Sequence, residues 1–99
     1  MTDSNRIPNE YRDDVARATR ILKEMGAREV YLYGSVPDGR SHQGSDLDIA
    51  IVGLPKERFF AAYGALMMQL EHSVDLIGLD YANEVSEGIR RRGDVLRVA

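Results

Sequence analysis

A Gly34-Ser35 pair is followed by ten loop-like residues and then by Asp46-Leu47-Asp48, and a further carboxylate, Asp75, sits between Val74 and Leu76. Side chains alternate along a strand, so Asp46 and Asp48 at i and i+2 project from one face, about 7 Å apart at their Cα atoms. Two like charges at that spacing repel, and a hard cation offsets the repulsion. Mg²⁺ takes oxygen ligands in octahedral geometry, commonly one or two carboxylates plus substrate phosphates. Asp75 completes such a site if its strand lies beside theirs. Gly34 lets the backbone turn sharply at the end of a strand, leaving amides and the Ser35 hydroxyl for phosphate oxygens. Taken singly, a DxD pair, a Gly-Ser turn and a polar edge residue need no ligand. Together they describe a place where a phosphate and a metal meet.

The elements that must position these residues follow from periodicity. Tyr11, Val15, Ala18, Leu22 and Met25 recur at helical spacing and Gly26 follows, which predicts a helix over 9–25. Residues 30–33 read as a first strand and Leu47 to Val52 as a second, with Asp46 and Asp48 at its start. Pro55 fits the first turn of a second helix running to about Glu71, which is expected to bury Phe59, Phe60, Tyr63, Leu66, Met67 and Leu70 on one side. Residues 74–77 predict a third strand, 82–92 a third helix and 95–98 a last short strand. This order predicts an α+β domain, a small mixed β-sheet of about four strands with helices packed on it. Its strand order is left open.

Ninety-nine residues fit one domain, residues 1–99, with 1–8 expected to be flexible. The formal net charge of −3 lacks the basic footprint of a nucleic-acid binder, so no direct nucleic-acid binding is expected. The absence of Cys excludes thiolate metal sites and cysteine nucleophiles. With no apolar segment near the start and no membrane span, the expected location is the cytoplasm.

The combination of GS, ten residues, DxD and a third Asp in a short strand resembles the DNA polymerase β-type nucleotidyltransferase superfamily. At this length it is similar to the minimal nucleotidyltransferase branch, over roughly residues 9–98. The resemblance implies a nucleotidyltransferase-like fold and a metal-dependent transfer of a nucleoside monophosphate from an NTP, AMP from ATP, to a hydroxyl. It also implies two Mg²⁺ ions. By the same resemblance Asp46, Asp48 and Asp75 are the catalytic and metal-binding residues, with Asp75 helping to activate the attacking hydroxyl. Gly34, Ser35, Gly39 and Arg40 are the nucleotide-binding residues. Many members of the branch are antitoxins paired with a HEPN-domain toxin, neutralised by adenylylation of a tyrosine. The sequence departs from the pattern at Val36, Pro37 and Asp38, where arginines often follow GS, and Arg40 stands as their substitute. That departure favours an alternative reading, a non-catalytic antitoxin or binding module that inhibits its partner by contact. A small-molecule acceptor would ordinarily need an additional acceptor-binding domain.

Other residues have simpler expectations. His42 and His72 lack metal-ligand spacing and read as surface residues, Tyr31 and Tyr33 read as strand packing, and Arg90, Arg91 and Arg92 as a solvated helix end. On the second helix Ala61, Gly64, Ala65 and Met68 form an i, i+3, i+4, i+7 stripe of mostly small residues, a possible interface for a partner helix.

Overall fold

The computed structural model describes Ile7 and residues 9–33, 46–80 and 95–99. The predicted helix over 82–92, His42 and the Arg90 to Arg92 run lie outside the described residues, as do residues 1–6 and 8. Two helices and four strands are described: α1 (Asn9–Met25), β1 (Glu29–Tyr33), β2 (Leu47–Val52), α2 (Lys56–Gln69), β3 (Val74–Gly78) and β4 (Leu96–Arg97). They form the expected α+β arrangement.

The sheet order is β3-β2-β1-β4. β1 pairs antiparallel with both β2 and β4, whereas β2 pairs parallel with β3, so the sheet is mixed. A parallel neighbour requires a crossover, and α2 provides it. β4 is short by pairing, but its backbone contacts continue: Val98 donates to the Val30 carbonyl at 2.9 Å and Val30 donates to that of Ala99 at 3.1 Å.

Period-two alternation divides the sheet into two unlike faces. Val30, Leu32, Leu47, Ile49, Ile51, Val74, Leu76 and Leu96 belong to one buried cluster, which also takes in Tyr11, Val15, Ala18, Ile21 and Leu22 of α1 and Ala62 and Leu66 of α2. The alternate positions Tyr31, Tyr33, Ala50, Val52 and Ile77 make a second, smaller cluster. Asp48 and Asp75 are in phase with this second set.

α1 ends where the sequence placed its stop. Gly26 has φ +117°, its amide donates to the Lys23 carbonyl at 3.1 Å, and the Ala27 amide donates to that of Leu22 at 3.0 Å. This pair of bonds is a Schellman motif, which a left-handed residue makes possible. Gly53, with φ +89°, turns β2 toward α2, and a Cβ there would come within 2.5 Å of the Arg28 side chain. Each helix also receives an arginine from the other. Arg17 donates to the Gln69 carbonyl at 2.9 Å and Arg58 to the Met25 carbonyl at 2.8 Å, satisfying carbonyls left free where a helix ends.

α2 differs from expectation in two respects. Pro55 stands at the N-cap rather than within the first turn, and the helix is rotated about its axis. Leu66 and Leu70 are buried as expected and Phe59 and Tyr63 partly so, but the centre of the core face is Ala62. Phe60 is 82% exposed, Met67 66% and Met68 89%. The small Ala62 side chain lets the helix seat close to the sheet, which turns Phe60 and Met67 onto a flank. Of the small-residue stripe, Ala61 is exposed and Gly64 half-buried, whereas Ala65 packs against the core cluster.

The most consequential polar contact was invisible in the sequence. Asp14, on the inner face of α1, is 2% exposed. Its carboxylate accepts the Glu71 amide at 3.0 and 3.1 Å, the His72 amide at 2.8 Å and the His72 Nδ1–H at 2.7 Å. The imidazole also packs on Tyr11, with ring centroids 4.3 Å apart, so His72 is half-buried rather than a surface residue. Burial alone would raise the Asp14 carboxyl, but the bonds from Glu71 and His72 together outweigh it and hold its pKa below the usual value.

Removing this acceptor orphans buried donors. Asp14→Ala is therefore expected to cost about 2–3 kcal/mol, lowering the melting temperature by on the order of 10 °C, while Asp14→Asn keeps one acceptor and loses less. Because the folded-state pKa is depressed, the stabilisation is present above the unfolded-state value and disappears as pH falls through the folded-state value. Thermal melts from pH 7 down to pH 2 should show this acid loss in the wild type and not in Asp14→Asn. An unchanged Asp14→Ala melt would remove the anchoring role.

Candidate active site

β2 and β3 run side by side in register, with Leu47 opposite Val74, Asp48 opposite Asp75 and Ile49 opposite Leu76. Asp48 and Asp75 therefore stand directly across one ladder, on strands about 4.8 Å apart and on the same sheet face. Asp46 precedes β2 by one residue and is exposed. The structure thus sets Asp48 and Asp75 side by side, with Asp46 just outside the ladder and Asp75 on the edge strand and exposed. Gly34, Ser35, Gly39 and Arg40 lie outside the described residues.

The electrostatics follow from this crowding. Burial, then Asp75, then Asp46 push the Asp48 carboxyl up to about 6. Each of the three effects disfavours the charged form. Among the described residues no group of three or more His, Asp or Glu side chains is placed to hold a metal ion. An open, all-oxygen anionic set still fits a hard cation that draws its remaining ligands from phosphate and water.

Two tyrosines complete the cluster. The Tyr33 hydroxyl donates to Asp75 Oδ2 at 3.2 Å. The Tyr63 hydroxyl, from α2, lies 3.1 Å from both Asp75 Oδ1 and the Val74 carbonyl oxygen, so its single proton serves both acceptors. Desolvation first and then the Asp75 and Asp48 charges raise the Tyr33 phenol above its ordinary value; desolvation and the Asp75 contact raise Tyr63. Tyr33 is thus more than strand packing. Its signal was available in the alternation, since it shares a phase with Asp48 rather than with Val30 and Leu32. Tyr31 turns instead to its own strand, donating to the Glu29 carboxylate.

The raised Asp48 pKa has a sign that can be measured. Between about pH 4 and pH 6 the folded state holds a proton that the unfolded state has released, so stability falls as pH rises across that window. The rise corresponds to about 3 kcal/mol at neutral pH, reduced to about 1–2 kcal/mol by water around a partly exposed group. Asp48→Asn is expected to raise the melting temperature at pH 7 by about 5–10 °C and to flatten the pH 4–6 slope. A variant that melts at or below the wild-type temperature at pH 7 would mean that the Asp48 charge carries no such cost.

Several solved structures share this fold. One is a toxin–antitoxin with AMP-PNP, similar at a TM-score of 0.66 and 24% identity over 91% of this chain and 72% of the other. The MntA-HepT toxin–antitoxin is similar at 0.62 and 20% identity, over 87% and 69%. A mutant of the MntA-HpeT toxin–antitoxin gives 0.64 and 22%, over 86% and 71%. At these identities the likeness is one of fold. No curated protein matches the chain in sequence. Residues 18–97, which include α2 and all four strands, match the family described as Polymerase beta, Nucleotidyltransferase, and the chain belongs to that nucleotidyltransferase family.

Proposed function

We propose that the chain transfers AMP from ATP to a hydroxyl of a partner protein, a tyrosine of a HEPN-domain toxin, and serves as the antitoxin of that pair. The observation that carries this reading is the Asp48–Asp75 register across adjacent parallel strands, with Asp46 beside it, in a nucleotidyltransferase domain. Support for the partner comes from the similar structures, which are toxin–antitoxin complexes, one of them with AMP-PNP.

Asp46, Asp48 and Asp75 would hold divalent cations, two Mg²⁺ in this reading. What such ions supply when bound is neutralisation of the triphosphate charge and of the leaving pyrophosphate. Gly34, Ser35, Gly39 and Arg40 bind the phosphates. Asp75, exposed on the edge strand, is the carboxylate that an incoming hydroxyl reaches, and it receives the hydroxyl proton. The acceptor oxygen bonds to the α-phosphorus, the bond from that phosphorus to the bridging oxygen breaks, and pyrophosphate departs. Positioning supplies much of such a rate enhancement, because a held hydroxyl and a held phosphate react as one molecule.

The partner is proposed to contact the exposed side of α2, where Phe60, Ala61, Gly64, Met67 and Met68 form an apolar patch. Such patches on a small domain mark contact surfaces. Ala65, which packs inward, is not part of this patch. Among the described residues no helix is long and apolar enough to cross a membrane, and the proposed setting is the cytoplasm, where ATP and the toxin are both available.

Intact-mass measurement decides between catalysis and simple contact. Mixing the chain with its partner, ATP and Mg²⁺ is expected to raise the partner's mass by one or more AMP units, and the double variant Asp46→Asn/Asp48→Asn to abolish the increase. The modification should persist after the proteins are separated. If the wild type silences its partner with no mass change, and the double variant does so equally well, the chain is a contact inhibitor.

A further inference from the structure

Asp75 occupies an unfavourable place for a residue that must hold its orientation. It lies at the edge of the described sheet, its side chain is exposed, and among the described strands it has a paired neighbour on one side only. An Asp carboxylate in that setting ordinarily samples several rotamers. Here both of its oxygens are engaged, Oδ2 by Tyr33 from β1 and Oδ1 by Tyr63 from α2. The two phenols come from different elements and meet the carboxylate from different directions.

Tyr33 has a second consequence. In the sheet register it lies opposite Asp48, and Asp48 lies opposite Asp75. A phenol that starts on β1 and ends at Asp75 must pass across Asp48, which stands on the strand between them. Tyr33 itself is only 8% exposed. Its side chain therefore runs past Asp48 on the same face of the sheet.

We propose that Tyr33 and Tyr63 are positioning residues that fix the Asp75 carboxylate beside Asp48. Neither phenol is a ligand or a nucleophile in this arrangement; both act through Asp75. Each carboxylate oxygen has two acceptor sites, so one phenol bond at each leaves the other free for a cation. Fixing the carboxylate beforehand removes the entropy that a free Asp75 would lose on binding. The inference rests on the proposed metal site and concerns how that site is kept in order.

The test uses the full chain with Mn²⁺ alone, the free ion being followed by electron paramagnetic resonance. Tyr33→Phe and Tyr63→Phe are each expected to weaken Mn²⁺ binding by about 3- to 10-fold, the effect of one lost hydrogen bond, and the double variant by about the product. The chain has five tyrosines and no tryptophan, so its near-ultraviolet emission reports phenols directly. Mg²⁺ should change that emission in the wild type, because a cation drawing on Asp75 weakens its pull on the phenol protons, and the change should vanish in the double variant. Melting curves of the metal-free variants check folding, and the removed hydroxyls should leave the cooperative transition in place. Wild-type affinity and an undiminished emission change in folded Tyr33→Phe/Tyr63→Phe would overturn the positioning role while leaving the metal site standing. No Mn²⁺ binding by the wild type would overturn the metal site and this inference with it.

Discussion

The arrangement of this domain depends on one buried carboxylate. Asp14 accepts the Glu71 and His72 amides just after α2 and makes the connection there a fixed corner, from which β3 departs in a set direction. Leu47 then donates to the Ser73 carbonyl at 2.8 Å, immediately beside that corner, and the parallel ladder starts in register. A slip of one residue along β3 would turn Asp75 into the helix-covered side and bring Val74 or Leu76 out. The placement of a carboxylate at the site is thus tied, through Ser73 and one strand, to a carboxylate on the helix-covered side of the sheet. The cost of burying a charge at Asp14 is offset by the donors it satisfies.

The two faces of the sheet answer to different requirements. The side under α1 and α2 is filled by Leu, Ile and Val with Tyr11, and it supplies the hydrophobic stabilisation that a domain of this size can gather. The other side tolerates Asp48, Tyr33 and Asp75, where burial and the neighbouring carboxylates disfavour the charged form of Asp48. Functional sites commonly carry groups whose pKa values are displaced in this way. The helical side has the stability from which that displacement can be maintained.

Local pattern was legible in the sequence wherever one residue type repeated against a clear stop. The bounds of α1 and β2 agree with their residue pattern and, for α1, with the flanking Gly26. The Asp46–Asp48–Asp75 grouping was legible only conditionally, because motif spacing does not reveal which strands are neighbours; the parallel pairing of β2 and β3 supplied that. α2 was legible as a helix but not in its rotation. Apolar residues lie nearly all round it, so Phe60 and Met67 were as eligible for the core as Ala62, and only the fit against the sheet decides. Asp14 and His72 are 58 residues apart, and a contact of that range leaves no trace in either local pattern. Tyr63 was hidden for a related reason, since its ring belongs to the core edge while its hydroxyl reaches around β3.

The parallel crossover from β2 through α2 to β3 also makes the opposed carboxylates a long-range product of the fold. α1 and α2 can form from short-range contacts, whereas the β2–β3 ladder closes only after the intervening helix has been placed and its loop entropy lost. The Asp14 corner spans a still longer stretch of chain. Asp48 and Asp75 are therefore neighbours only where that ladder is formed, and their repulsion is felt only there. A chain in which β2 and β3 have not paired lacks the opposed carboxylates, so local opening of this ladder would dismantle the pair without unfolding the helices.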